Sequence, residues 1–486
     1  MPCPFFRTQV AMVFQGRAEN RMTKNNAELR PHAEPAFGPL RVHPLNGRYF
    51  TYDGQRAVYL TGSHTWGNMQ DQLSPDPRVK FDYPGYLEWM VERGFNFMRG
   101  WVWEQAAWDN HTTEKLLVDP LPYLRTGPGK ALDGAPKFDL TQFNPEYFQR
   151  IRSRVVAAGE RGIYVSIMLF QGFSVDDRNT DISLNPWLGH PFHRDNNING
   201  IDGDPHQTDG GRAVHTLLLP EITALQERYV RRVVDAVNDL DNVLYEVGNE
   251  LYADSVAWQY HMIEVVQRYQ AGKAKRHPVG MTGGGPDAVP NRALFESPAE
   301  WVSPRHETDQ PYRDNPPPAD GRKVVITDTD HLWGHGGTQG WVWKSFTRGL
   351  NPILMDPYEP LYGLENKPWV GSLNRRDHPL WVSLRRNLKL ARDVAERVDL
   401  ASMLPRVDLA STGYCLANEG DDYLVYLPEG VRVEVDLSYG ATTVSVQWLD
   451  PGTGMIVSGD AVPGGDRRTF VSPFARDAVL HLSTSA

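Results

Sequence analysis

Cysteine is nearly absent: the 486-residue chain has two, Cys3 and Cys415. One lies in an N-terminal stretch and the other in an expected strand, so neither a disulfide framework nor a thiolate zinc site can be built. Long apolar runs are missing too; nothing approaches the roughly 18 residues that a membrane span requires. Basic charge is not in excess. Fifty Lys and Arg face 60 Asp and Glu, a formal charge of −10, which argues against a polyanion-binding surface and makes nucleic acid an unexpected partner. Residues 1–40 contain a short apolar patch, Ala11 to Phe14, but no continuous hydrophobic region or cleavage site. No secretory signal is therefore legible, and the default expectation is cytoplasmic, or secretion if the true start lies elsewhere. Gly283-Gly284-Gly285 lacks the Lys and spacing of a phosphate loop. No internal repeat or cofactor motif stands out, and neither a metal nor a cofactor is expected.

What is present is a regular alternation of short apolar strands and amphipathic helices from Arg41 onward, the pattern of an α/β barrel or parallel sheet. Strands are expected at 57–61, 95–99, 163–170, 243–248, 278–282, 300–303, 323–328 and 351–356. Eight is the count of a (β/α)₈ TIM barrel. Asn144 reads as an N-cap with Pro145 at the first helical position, and further helices are expected near Tyr86, at 221–238, from Ser255 and at 380–398. The long polar stretch 171–220, with an Asn- and Asp-rich run at 196–204, departs from EF-hand spacing and reads as a hydrogen-bonded loop facing a sugar. Beyond Pro405 the period falls to two: Val431, Val433 and Val435, then Val444, Val446 and Trp448, alternate with polar residues. The expected organisation is an N-terminal extension (1–40), a catalytic barrel (41–400) and a small C-terminal antiparallel β-sandwich (405–486).

Chemistry concentrates at two strand ends. Val243-Leu244-Tyr245-Glu246-Val247-Gly248 runs into Asn249-Glu250, and Lys323-Val324-Val325-Ile326-Thr327 runs into Asp328-Thr329-Asp330-His331. In a (β/α)₈ barrel, residues at the C-terminal ends of strands form the active site. Two carboxyl groups flanking one bond are what glycoside cleavage needs. An isolated Asn-Glu pair more often caps the following helix; the barrel context reverses that preference. Glu250 is read as general acid/base, because partial burial favours its protonated form, with Asn249 donating to a sugar hydroxyl. Asp328 is favoured over Asp330 as nucleophile or base. His331 is placed to orient whichever aspartate is active, although a lone loop histidine is more often simply hydrogen-bonded. Arg99 ends the second strand and is expected either to hold an aspartate ionised or to form a salt bridge without catalytic part. His64, Trp66, Trp101, Trp103, Trp333 and Tyr358 follow strands and are candidate sugar contacts, about half of them expected to touch substrate, with Asp356 a further candidate. Fourteen Trp and 20 Tyr suit the apolar faces of sugars, though most such rings are core.

At Gly94-Phe95-Asn96-Phe97-Met98-Arg99, Gly248-Asn249-Glu250 and Asp328 the chain resembles the clan of retaining (β/α)₈ glycoside hydrolases that includes cellulase-like and apiosidase-like members, over roughly residues 41–400. The resemblance implies acid/base catalysis by the strand-four Glu, here Glu250, and a strand-seven nucleophile. Strand seven carries Asp where the clan has Glu. The side chain is one methylene (~1.5 Å) shorter, so inversion through a water becomes an alternative to retention, which stays slightly ahead. The segments Tyr414 to Asn418 and Asp422 to Pro428 look like the β-sandwich called a collagen-binding domain, a label that does not imply collagen binding. The expected partner is an oligo- or polysaccharide, with no membrane and an undetermined oligomeric state. Two rivals stay open: a polysaccharide lyase using His64, Tyr358 or a loop His as base with Arg99 neutralising a uronate, and a non-catalytic carbohydrate-binding barrel.

Overall fold

The computed structural model describes residues 34–484 apart from 74–79, 109–115, 176–184, 208–209, 286, 359–374 and 441. Most of the expected N-terminal extension thus lies outside the described residues. Eight parallel strands close into a barrel: β1 (Gly62–His64), β2 (Phe97–Gly100), β3 (Tyr164–Gln171), β4 (Val243–Asn249), β5 (Val279–Thr282), β6 (Trp301–Ser303), β7 (Val324–Asp328) and β8 (Asn351–Met355). The helices are α1 (Tyr83–Glu92), α2 (Pro145–Gly159), α3 (Pro220–Val237), α4 (Val256–Gln270), the short α5 (Asn291–Glu296), α6 (Thr329–Trp333), α7 (Gln339–Thr347) and α8 (Pro379–Ala395). None is long and apolar enough to cross a membrane.

Residue order explains the strands. On β4, Val243, Tyr245 and Val247 join the core between strands and helices, while Leu244 joins the barrel interior with Phe97, Trp301, Val324, Ile326 and Ile353. A two-residue period therefore puts Leu244, Glu246 and Gly248 on the inner face. Phe50, from the antiparallel pair Arg41–Val42 with Phe50–Thr51, packs into the same interior cluster. Trp301 fits there only because position 280 is glycine: a Cβ on Gly280 would stand 1.8 Å from the indole. Asn144 caps α2 by accepting from the Glu146 N–H at 3.1 Å, and Asp82 caps α1 at Gly85, three residues earlier than expected.

Three features depart from the sequence expectations. The first barrel strand begins at Gly62 rather than Ala57, because Val58 pairs instead with Phe50 in the N-terminal hairpin. An antiparallel hairpin, Tyr123–Lys130 with Pro136–Phe143, lies between β2 and α2; its Gly-Pro-Gly interior hides it from propensity. Between β6 and β7 there is no helix; residues 304–323 form an irregular loop.

Past Leu404 the chain is antiparallel. A six-stranded sheet runs in the order Leu404–Pro405, Cys415–Asn418, Asp422–Leu427, Ala478–Ser483, Thr443–Leu449, Ile456–Pro463, accompanied by the ribbon of Arg432–Asp436 with Arg467–Val471. Tyr423, Val425, Val433, Val435 and Phe470 share one core between these sheets, the arrangement of a β-sandwich. Leu424, Tyr426 and Val479 point the other way and join the core of the barrel's helices. There Tyr426 Oη and Gln339 Nε2, at the start of α7, both donate to Asp477, at 3.0 and 2.9 Å. Cys415 is buried and free, its thiol pushed up to about 12 by burial.

Candidate active site

Arg99, at the end of β2, is 1% exposed and organises the barrel mouth. Its five N–H donors are all engaged. Nε donates to Glu246 Oε2 at 2.9 Å and Nη2 to Glu246 Oε1 at 2.5 Å. Nη2 also reaches Asn249 Oδ1 at 2.5 Å, and Nη1 reaches Asp328 Oδ2 at 2.9 Å and Asp330 Oδ2 at 3.1 Å. The planar fork thus ties β2 to β4 and β7 through charge-assisted bonds. Glu246 went unnoticed in the sequence. The signal was available: a carboxylate inside an apolar strand, on the inner face, needs a buried cation.

Asp328 is fully buried. Besides Arg99 it contacts His64 Nε2 at 2.9–3.0 Å and caps α6 by accepting from the Asp330 N–H at 3.0 Å. Burial opposes its ionisation, but His64 and Arg99 outweigh that and hold it far below the usual carboxylate range. His64 Nδ1 accepts from Trp101 Nε1 at 2.6 Å, which leaves the ring proton on Nε2 for Asp328.

Above this layer lies a cleft of about 380 Å³. Trp66, Trp101 and Trp103, following β1 and β2, form one wall, the latter two stacked with centroids 5.7 Å apart. Asn249 and Glu250 enter after β4, and Asp330, His331 and Trp333 after β7. The strand ends at Asp328 and α6 starts at once, so Asp330 sits on the first helical turn and reaches the cleft that Asp328 does not. Burial, then the nearby Asp328 charge, push Asp330 up to about 6. Glu250 is 6% exposed with φ of 47°, a left-handed conformation costly for a non-glycine residue. Gly284, with φ of 108°, presses against it; a Cβ there would lie 3.1 Å from Glu250 Oε1 and 2.7 Å from His331 Cδ2. His331 contacts Ser303 Oγ at 2.7 Å and Asn249 Oδ1 at 3.2 Å; burial and the neighbouring Arg99 charge depress its basicity strongly.

Several sequence expectations are corrected by this geometry. Asp328, favoured as the second carboxylate, lies beneath the cleft. His64 and Arg99 lie beneath it too, engaged with protein partners rather than sugar. Asp356 is held by Arg385 at 3.0 and 2.5 Å, and Tyr358 packs with Tyr86 and Trp89; neither lines the cleft. The lyase rival thereby loses Arg99, His64 and Tyr358 from the cleft, and His190 and His215 are bonded to Glu104. In the long loop, Asn196, Asn197 and Asn199 bond to backbone, and of its described residues only Phe173 lines the cleft. Ligand atoms of Asp328, Asp330 and His331 lie within 4.8 Å of one another. Arg99 already faces both carboxylates and both His331 nitrogens are bonded, so this donor set does not suit a cation. Arg305, His306, Arg313 and His335 also line the cleft and were not singled out from the sequence.

A family described as "Domain of unknown function (DUF6298)" matches residues 118–284. No curated protein matches the sequence. Among solved structures, the chain is similar to a glycoside hydrolase family 5 protein from Bacteroides vulgatus, with 12% identity, a TM-score of 0.60, and coverage of 93% of this chain and 95% of that one. Another, described as a glycoside hydrolase, shares 12% identity at a TM-score of 0.57 and covers 92% and 97%. At such identity the likeness is one of fold.

Proposed function

We propose that the protein is a glycoside hydrolase in which Glu250 and Asp330 act on opposite sides of a scissile glycosidic bond. The observation that carries this reading is the pairing of these two carboxyls in one Trp-walled cleft at the C-terminal end of the barrel. Glu250, largely desolvated, is the general acid that protonates the leaving oxygen. Asp330 is the second carboxylate, taking the role the sequence favoured for Asp328. Ionised above about 6, it attacks the anomeric carbon as the bond to the leaving oxygen breaks. Glu250, now deprotonated, then takes a proton from water, whose oxygen displaces Asp330 and releases the sugar. This retaining course is kept from the resemblance at Asn249-Glu250. With inversion, Asp330 would instead deprotonate the attacking water.

Glu250→Gln tests the assignment on a panel of plant and bacterial oligosaccharides. Turnover should fall about 10²- to 10⁴-fold with folding unchanged; near wild-type turnover refutes it. The anomer first formed, read by NMR, separates retention from inversion.

A further inference from the structure

Beyond the two carboxyls, the cleft has a feature that neutral sugar chemistry does not require. The loop 304–323, which stands where the helix after β6 would be, brings Arg305, His306 and Arg313 to the cleft. In an eight-stranded closed barrel, β6 lies four strands from β2. Arg305 and His306, just after β6, therefore stand across the mouth from the side of Trp101 and Trp103, while Arg313 lies against Leu332 and Trp333 after β7.

The charge of these residues is only partly compensated. Arg305 has Glu307 3.9 Å away and donates to the Ala288 carbonyl at 3.4 Å. Among the described residues no carboxylate pairs with Arg313. Its Nη2 donates to the Leu332 carbonyl, and among the described residues its buried Nε has no hydrogen-bond partner, a costly state for a charged donor. The guanidinium carbon lies 5.7 Å from the Trp333 ring centroid, so an aromatic face and a cationic fork sit side by side. His306 Nδ1 accepts from the backbone N–H of Arg313 at 3.4 Å, which leaves its Nε2–H as a further donor. In a chain with a net charge of −10, positive charge gathered at the mouth is a local device rather than a general property of the surface.

Building on the hydrolase reading, we infer that Arg305, His306 and Arg313 form a subsite for an anionic sugar unit, one bearing a carboxylate or a sulfate ester. Guanidinium donors recognise such planar or tetrahedral oxyanions through paired bonds. The Trp wall takes the apolar face of the adjoining ring, and the anionic group is drawn away from the ionised Asp330, which repels it.

The test uses matched pairs of substrates. Pectic and glucuronoxylan oligosaccharides are compared with the same mixtures after carbodiimide-borohydride reduction, which turns each carboxylate into a primary alcohol and keeps the linkages. Sulfated galactan oligosaccharides are compared with their desulfated forms. The wild-type protein is expected to release reducing ends from one anionic member and to lose at least about tenfold in kcat/KM on its neutral partner. Arg313→Gln and Arg305→Gln should each raise KM on the anionic form about 10- to 100-fold, the loss of a hydrogen bond to a charged group. Two variants are used because Arg313 also braces the Leu332 carbonyl. Equal or better cleavage of the neutral members overturns the subsite and leaves the hydrolase reading intact. If no fragment is cleaved but glucuronate or inorganic sulfate raises the melting temperature of the wild type and not of the Arg variants, the subsite stands and the hydrolase reading falls. Neither cleavage nor stabilisation overturns both.

Discussion

Two layers of one barrel mouth use the same residue types to different ends. In the lower layer, Arg99, Glu246, Asp328 and His64 bond to one another and to no open space. In the upper layer, Glu250 and Asp330 border the cleft, one on a left-handed backbone and the other with its ionisation suppressed by burial and by Asp328. A carboxylate whose oxygens are occupied by an arginine, a histidine and a helix cap is scaffolding, however suggestive its position in the sequence. A carboxylate at the cleft, at some energetic cost, is the one able to exchange protons or form a bond.

The largest expected effect breaks the lower layer. Arg99→Met leaves Glu246 and Asp328 buried without their cation and should cost about 3–5 kcal/mol of stability, measured by urea denaturation; a loss under about 1 kcal/mol would mean that the lower layer does not hold the mouth together. Next, the two aspartates should respond in opposite directions to pH. Asp328 has its folded pKa lowered, so its stabilisation is present above the unfolded value of about 3.9 and is lost as pH falls. Asp330 has its folded pKa raised to about 6, so its contribution is present below about pH 3.9 and is lost as pH rises through 6. Denaturation curves between pH 3 and 7 (roughly, from these pKa values) should therefore have a shallower acid-side slope in Asp328→Asn, with Glu104 and Asp139, also lowered, supplying part of the remainder. In Asp330→Asn the part of the slope between about 4 and 6 that comes from Asp330 should be lost, along with about 10²-fold or more of activity. Identical profiles for the two variants would erase the distinction between the layers.

A subtler change probes the upper layer alone. Gly284→Ala puts a Cβ against Glu250 and His331 in a backbone region that disfavours it, at about 1–3 kcal/mol. It should lower kcat more than it raises KM, read by steady-state kinetics. The smallest effect lies far from the mouth: Tyr426→Phe removes the hydrogen bond to Asp477 and should cost about 1 kcal/mol without altering activity, seen as a small shift in thermal midpoint.

Much of this architecture was legible beforehand. Seven of the eight barrel strands overlap the apolar runs expected for them, and β1 starts just past its run, at Gly62. The α2 cap at Asn144 was readable because a side-chain oxygen before Pro145 has one local use. Tyr123–Lys130 was not readable, since Gly127, Pro128 and Gly129 contradict strand propensity: both glycines have positive φ, and the register with Pro136–Phe143 jumps across them from Arg125 to Lys130. At the site, Asn249, Glu250, Asp330, His331 and four tryptophans were named from the sequence and do line the cleft, whereas His64, Arg99, Asp328, Asp356 and Tyr358 were named and do not. Arg305, His306 and Arg313 were missed because they lie on a loop with no periodicity.

The order of residues by itself determined the alternation of strands and helices, and hence the barrel and the strand ends that carry acids, because side-chain periodicity is a local property of the backbone. Tertiary structure decided which acid faces the cleft. Depth in a barrel depends on where a strand stops and on how far an arginine from another strand reaches. Asp328 and Asp330 are two residues apart in the chain, yet one caps a helix against Arg99 and His64 while the other rides the first turn of that helix into the cleft.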